Sequence, residues 1–255
     1  MSQYGKEYFS FSGVKISNID YEGICNTIAQ NVHSSGYICV TCVHTIIEAL
    51  RDKIIMEATN HSLLSIADGT PLAWYGRLLG YRTVRRITGP TLLKRLLEEE
   101  NDYKHFLLGD TERTIARVIE TAKDSKENIR ITGYSPPFKP EFSSDDNDRT
   151  IARIRRENPD LIWVSFGMAK QAKWMYENIH KFDRGIMIGV GAAFKFYIGQ
   201  ILTPPKIIQH LGLHWFFRML EDPIRIGKSQ LLTFPKFIAL FPYELIKARK
   251  RIKLG

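Results

Sequence analysis

The sequence predicts an α/β fold: a largely parallel sheet with helices on both faces, Rossmann-like in its layering. Three observations lead there. Short apolar runs alternate with helix-like stretches through most of the chain. That spacing leaves room for crossover connections between parallel strands. Several of the apolar runs end in Gly or Asp, as expected where a strand turns into a helix at a ligand-binding edge.

Residues 37–43 (Tyr37-Ile38-Cys39-Val40-Thr41-Cys42-Val43) read as a buried strand, and Thr45 to Thr59 as one helix. Leu63 to Ala67 is a second strand, closed by Asp68-Gly69-Thr70-Pro71. Helices follow from Pro71 and from Pro90 to Glu100, with proline at first-turn positions. His105 to Gly109 is a strand, and Thr111-Glu112-Arg113-Thr114 opens a helix. Ile129 to Gly133 is the next strand, followed by a proline-rich loop, Tyr134 to Pro140, and a helix over Asp148 to Asn158. Leu161 to Gly167 is a strand, Ala169 to Ile179 a helix, and Ile186 to Gly191 the last clear strand.

After Gly199 the character changes to aromatics and cations. Residues 1–199 are therefore read as the α/β core and 200–255 as a basic, aromatic appendage. The net charge is +9, and Gln200 to Gly255 carries ten Lys/Arg against Glu221, Asp222 and Glu244. A cationic partner surface is thus expected at the C-terminal end. The basic block is terminal and no nucleic-acid recognition motif appears, so nucleic acid is not expected as the partner.

Other classes are disfavoured. No stretch reaches the roughly 20 apolar residues of a membrane-spanning helix, and the polar start Met1-Ser2-Gln3-Tyr4 lacks a signal-peptide core. A cytoplasmic protein is expected. Three cysteines make no disulfide framework. Cys39 and Cys42 have CxxC spacing, but on a strand such side chains face opposite ways, and no second pair completes a zinc site.

The chemistry is expected at Asp68. It follows an apolar run and opens a helix, where a carboxylate can take a proton from a substrate hydroxyl. The bland alternative is a helix N-cap. His44 is a second candidate base, since imidazole titrates near neutrality. Gly189-Val190-Gly191 resembles a phosphate loop without the full dinucleotide fingerprint. Gly133 ends a strand beside Tyr134. Arg218 and Arg225, seven apart, share a face if helical and could clamp a diphosphate there.

In order, the chain carries Val40-Thr41-Cys42-Val43-His44, Ala67-Asp68-Gly69, Arg86-Ile87-Thr88-Gly89, Phe106-Leu107-Leu108-Gly109, Gly133-Tyr134-Ser135-Pro136, Lys170-Gln171, Gly189-Val190-Gly191-Ala192-Ala193-Phe194 and Gly212-Leu213-His214-Trp215. This ordered set resembles the WecG/TagA/CpsF family of glycosyltransferases from about residue 10 to residue 226. The resemblance implies an inverting, metal-independent transfer from a nucleotide sugar, usually a UDP-sugar, with no cofactor. The implied acceptor is a sugar on a polyprenyl diphosphate at the inner membrane face, in surface-polysaccharide synthesis. It implies Asp68 as base, with Thr41, Arg86, Lys170 and Gln171 on the substrates, and His44, Arg218 and Arg225 join them from the reading of the residues above. Gly133, Tyr134, Gly189, Gly191 and Lys195 fall at the nucleotide.

The chain departs from the family pattern at Ala172, where Glu is usual, and at Lys195, where Asp is usual. Lys195 reverses a charge near the expected donor. A non-catalytic sugar-nucleotide-binding or scaffold protein is the alternative that these two positions favour. In the tail, Phe234, Phe237, Ile238, Leu240 and Phe241 are expected to enter an anionic membrane surface, with Lys247, Arg249, Lys250, Arg251 and Lys253 on its headgroups. The alternative is that these aromatics pack on the protein's own core, or join copies of the chain in a homo-oligomer.

Overall fold

The computed structural model describes residues 8–99, 102–139, 142–202 and 228–254. The main sheet has six strands: β3 (Ser35–Thr41), β4 (Leu64–Ala67), β5 (His105–Gly109), β6 (Ile131–Tyr134), β7 (Leu161–Ser165) and β8 (Gly185–Gly189). Their order is β4-β3-β8-β7-β5-β6, and the pairings of β3 with β8, β8 with β7, β7 with β5 and β5 with β6 are all parallel. β5 and β8 are buried along their whole length and β7 up to Val164, which explains why they read as unbroken apolar runs. The chain forms two compact units: Met1–Gly23, Val40–Ile87 and Thr203–Gly255 in the first, and Ile24–Cys39 and Thr88–Leu202 in the second.

The first unit starts with a hairpin outside the expected elements, β1 (Tyr8–Phe11) and β2 (Val14–Ser17). Ser12 and Gly13 both take positive φ, 50° and 90°, as a tight two-residue hairpin turn demands. Phe9, Phe11, Val14 and Ile16 point into the core. The helix expected over 45–59 is two helices, α2 (Val43–Ala49) and α3 (Lys53–Asn60). Asp52 makes the break, because its side chain accepts the Ile54 N–H at 2.8 Å and caps α3. The strand expected over 37–43 stops at Thr41, and Cys42 is the N-cap of α2. α4 (Thr70–Leu78) completes this part.

The second unit contains α1 from Ile24 onward (the helix spans Tyr21–Asn31), α5 (Gly89–Glu98), α6 (Glu112–Ser125), α7 (Ser144–Glu157), α8 (Met168–Asn178) and α9 (Ala193–Tyr197). α7 begins before the expected Asp148 because Ser143 caps it, and Asp145 and Asp146 meet the positive end of its dipole. The buried Trp163 donates its indole N–H to His105 Nδ1 at 3.1 Å. Burial pushes His105 down to about 3, so this imidazole is a neutral core group.

The last described helix, α10 (Lys228–Leu254), belongs to the first unit and is continuous despite Pro235 and Pro242. Both prolines lie on its exposed face, where the carbonyls that they leave unbonded can meet solvent. Its opposite face packs inward. Phe237 is buried and stacked on Phe11 with ring centroids 4.8 Å apart, and Phe241 meets Tyr75 edge-on at 5.5 Å. This corrects the expected membrane face: Phe237 is core, Phe234, Leu240 and Phe241 are half-buried, and only Ile238 of the five is exposed. No described helix is long and apolar enough to cross a membrane.

Candidate active site

In the first unit the site is built on the end of β4. Its four residues are fully buried, and the chain then turns at Gly69, whose φ of +130° is open only to glycine. Gly69, not Asp68, is the N-cap of α4, and no side chain caps that helix. The Asp68 carboxylate is therefore not spent on capping, which removes the bland reading of this residue. The backbone holds it instead: the Asp68 N–H donates to the Thr41 carbonyl at 2.8 Å. Burial pushes its carboxyl up to about 6, against a smaller downward pull from the Arg86 guanidinium. Arg86 is held at the same edge, because the Ile87 N–H donates to the Ala67 carbonyl at 3.0 Å.

Thr41 is fully buried, and its hydroxyl lies 2.8 Å from that of Ser65. It braces β3 against β4 rather than presenting a hydroxyl to solvent. Ser65 was passed over because a serine within an apolar strand gives no helix, turn or motif signal; its burial is the clue, and only the fold supplies that. Cys42 caps a helix instead of lying on a strand. Its thiol is pushed up by burial and by the negative charge of Asp68, so the two groups are neighbours. His44 sits on α2 with Nδ1 3.4 Å from the Thr233 hydroxyl of α10, and burial pushes its imidazole down. It is thus a neutral group tied to the last helix.

In the second unit the predicted residues fall at the carboxyl ends of β7 and β8, with Gly133 and Tyr134 at the end of β6. The glycine loop after β8 is cross-braced. Gln171 is buried, and its Oε1 accepts the Gly191 N–H at 2.9 Å, while the Ser165 hydroxyl donates to the Gly191 carbonyl at 2.6 Å. Gln171 therefore positions the loop instead of pointing into open space. Gly191 has φ +56°, and among the described residues nothing lies within 4 Å of where a Cβ would be, so a ligand can approach its backbone. Gly189 and Gly133 are different. A Cβ on Gly189 would meet Met175 at 2.8 Å, and one on Gly133 would meet Ile115 at 2.6 Å, so both serve close packing. Tyr134 lies under the Arg153 guanidinium, 5.6 Å from the ring centre. Lys170 donates to the Lys139 carbonyl and lies 3.8 Å from the Phe142 ring centre. Arg218 and Arg225 lie outside the described residues. Among the described residues no three His, Cys, Asp or Glu side chains converge as a metal site would require.

The profile of the glycosyl transferase WecG/TagA/CpsF family matches residues 9–251. The chain belongs to this family. Within the family it is 30% identical over 193 residues to the N-acetylglucosaminyldiphosphoundecaprenol N-acetyl-beta-D-mannosaminyltransferase of Bacillus subtilis (strain 168), covering 74% of this chain and 72% of that one. It is 28% identical over 230 residues to the enzyme of the same name from Staphylococcus aureus (strain MW2), covering 89% and 86%. It is a glycosyltransferase.

Lys195, expected from the sequence to reverse a charge near the donor, has a local partner. Its ammonium stands 3.7 Å from Asp110 Oδ2, with side-chain exposures of 40% and 7%. Asp110 is a non-glycine residue at φ +57°, held by the Ser135 hydroxyl on its carbonyl at 2.6 Å and by the Thr111 N–H on its Oδ1 at 2.8 Å. The charge at 195 is thus balanced from the end of β5. Asp110 carries no motif of its own, and only the β5–β7–β8 adjacency brings it to Lys195. The departure at Ala172 falls on a buried side chain, where a carboxylate would need its own partner.

Proposed function

We propose that this glycosyltransferase moves a sugar from a UDP-sugar to the sugar of a polyprenyl-diphosphate-linked acceptor, with inversion and with Asp68 as general base. The observation that carries the reading is Asp68 itself: a half-buried carboxylate, free of any capping role, whose proton affinity is raised to the range useful near neutral pH. The names of the Bacillus and Staphylococcus relatives support the acceptor class. In the step proposed, the acceptor hydroxyl gives its proton to the Asp68 carboxylate. The oxygen forms a bond to the anomeric carbon, and the bond from that carbon to the diphosphate oxygen breaks. The diphosphate leaves with the electron pair, and cations stabilise its charge. Arg86 lies near Asp68, Lys195 borders the glycine loop, and Arg218 and Arg225 are assigned the same task from the sequence.

This assignment makes the transfer metal-independent, so turnover of a UDP-sugar with a short-chain polyprenyl diphosphate sugar is expected to persist in EDTA. Loss of activity on chelation, restored by Mg²⁺ or Mn²⁺, would count against the cationic side chains as sole partners of the diphosphate. Lys195 is assigned to donor choice. In Lys195→Asp two carboxylates would face each other, and affinity for the nucleotide sugar is expected to change by about tenfold. Stability should also fall, by about 1–3 kcal/mol, because the nearly buried Asp110 loses its partner and gains a like charge beside it. Titration of a donor panel checks this, and a profile identical to wild type would leave Lys195 a surface residue.

The enzyme is proposed to work peripherally, on the inner face of the cell membrane, with the C-terminal segment holding it beside its lipid-linked acceptor. The contact runs through the exposed face of α10 and its basic end.

A further inference from the structure

α4 leads directly out of the Asp68 turn, and its inner face is core: Leu72, Ala73, Tyr75 and Gly76 are buried. Its outer face is apolar as well. Trp74 and Leu78, one helical turn apart, are each 49% exposed. A large aromatic and a leucine on one solvent-facing stripe are not accounted for by folding. The surroundings are strongly cationic: residues 70–86 contain Arg77, Arg82, Arg85 and Arg86 and no Asp or Glu. Arg77, Arg82 and Arg85 are exposed.

α4 also adjoins α10 within the same unit. Arg249 donates to the Leu78 carbonyl at 3.3 Å, and Tyr75 donates to the Glu244 carbonyl at 3.2 Å. On α10 the exposed residues Leu231, Ile238 and Ile246 recur at helical spacing, with Ile238 64% exposed, and Arg249 and Lys250 follow. Two neighbouring helices thus each show apolar side chains to solvent among arginines and lysines. Interfacial tryptophan, buried aliphatic side chains and flanking cations are what an anionic lipid surface takes.

We infer that the outer face of α4, Trp74 and Leu78 with Arg77 and Arg82, is a second lipid-contacting element beside α10, and that it holds Asp68 at headgroup level on an anionic membrane. The inference rests on the membrane-peripheral reading above and adds a surface outside the C-terminal segment. Its functional content is a distance. At 1.5 Å per residue, Trp74 lies about 10 Å along the chain path from Asp68. A surface contact this close in the chain keeps the carboxylate beside the lipid rather than in the bulk solvent.

Truncating the tail is a poor test, because Thr233, Phe237 and Glu244 are buried in the first unit and their loss would unfold it. The full chain with substitutions on exposed positions avoids this. Wild type, Trp74→Ser/Leu78→Ser and Ile238→Ser/Ile246→Ser are sedimented with phosphatidylglycerol/phosphatidylcholine vesicles and with phosphatidylcholine alone. Both double variants are expected to lose about tenfold in partitioning to the anionic vesicles, with unchanged melting temperature. Brominated lipid should quench wild-type fluorescence, and Trp74→Phe should lose most of that quenching. If only the Ile238/Ile246 variant loses binding, the tail alone anchors the enzyme and the inference fails while the peripheral reading stands. Failure of wild type to bind any vesicle overturns both. A lipid-free dimer that Trp74→Ser/Leu78→Ser dissolves would make this face a contact between copies and overturn the lipid assignment.

Discussion

Replacing Asp68 by Asn is expected to lower turnover by about 10²–10⁴-fold while leaving nucleotide affinity nearly unchanged. The shape is kept and only the proton acceptor is lost. In wild type the rate should rise with pH through about 6, where burial has placed the Asp68 carboxyl, and level off above it. The same shift predicts an unusual second effect. The folded protein binds the Asp68 proton more tightly than the unfolded chain does, whose carboxyl keeps its ordinary value near 3.8. The Asp68 contribution to stability is therefore greatest below about pH 4 and declines as pH rises to about 6, and the deficit persists above that. Asn carries no such deficit. Asp68→Asn should be more stable at pH 7.5, by on the order of 1–3 kcal/mol. An inactive variant that melts higher than wild type is the signature of a residue kept for chemistry. Near-wild-type turnover, or a lower melting temperature at pH 7.5, would sink the assignment.

Gly109→Ala is expected to be the most destabilising single change at the sheet's carboxyl edge. Gly109 ends β5 with φ +103°, and an added Cβ would meet the Ser165 carbonyl oxygen at 2.6 Å and its carbon at 2.9 Å. Both are backbone atoms at the end of the neighbouring strand, so neither can swing aside. Strain at this φ and the forced shift of β7 together should cost on the order of 3 kcal/mol, or a fall of roughly 6–12 °C in melting temperature. Gly191→Ala is the informative comparison. It too has positive φ, at +56°, but its Cβ would enter open space. Its stability cost should be about 1–2 kcal/mol, with a larger loss in donor binding, because the methyl group would occupy the approach to the loop backbone. Thermal melts and donor titrations on the two variants separate packing from recognition. Equal losses of stability would show that the space over Gly191 is not what distinguishes it.

Much of this protein was legible in its sequence, for definite reasons. Buried parallel strands such as Leu161-Ile162-Trp163-Val164 announce themselves as continuous apolar runs, and prolines at 71 and 90 mark helix starts. The ordered motif set pointed to the family to which the profile match assigns the chain. The hairpin of β1 and β2 was equally open to reading, from Phe-Ser-Phe alternation and a Ser12-Gly13 turn, and was passed over. The break at Asp52 was lost because a capping aspartate inside an apolar-periodic stretch looks like one polar residue on a helix face.

What the sequence determined by itself was which candidate groups are present: a carboxylate at 68, arginine at 86, lysine at 195 and glycines where the backbone must turn. What only tertiary structure decided was what each group is free to do. The cap of α4 falls on Gly69, leaving Asp68 unspent, while the Thr41 hydroxyl and the Gln171 amide oxygen are spent on Ser65 and Gly191. Lys195 is balanced by Asp110, 85 positions earlier in the chain. Of the three phenylalanines of α10 expected at a membrane, Phe237 is core and Phe234 and Phe241 are half-buried, while Trp74 of α4 is exposed. The physical reason is common to all of these. Local sequence sets which donors, acceptors and apolar side chains are present. Pairing and burial depend on residues that are distant in sequence and adjacent only once the sheet has formed.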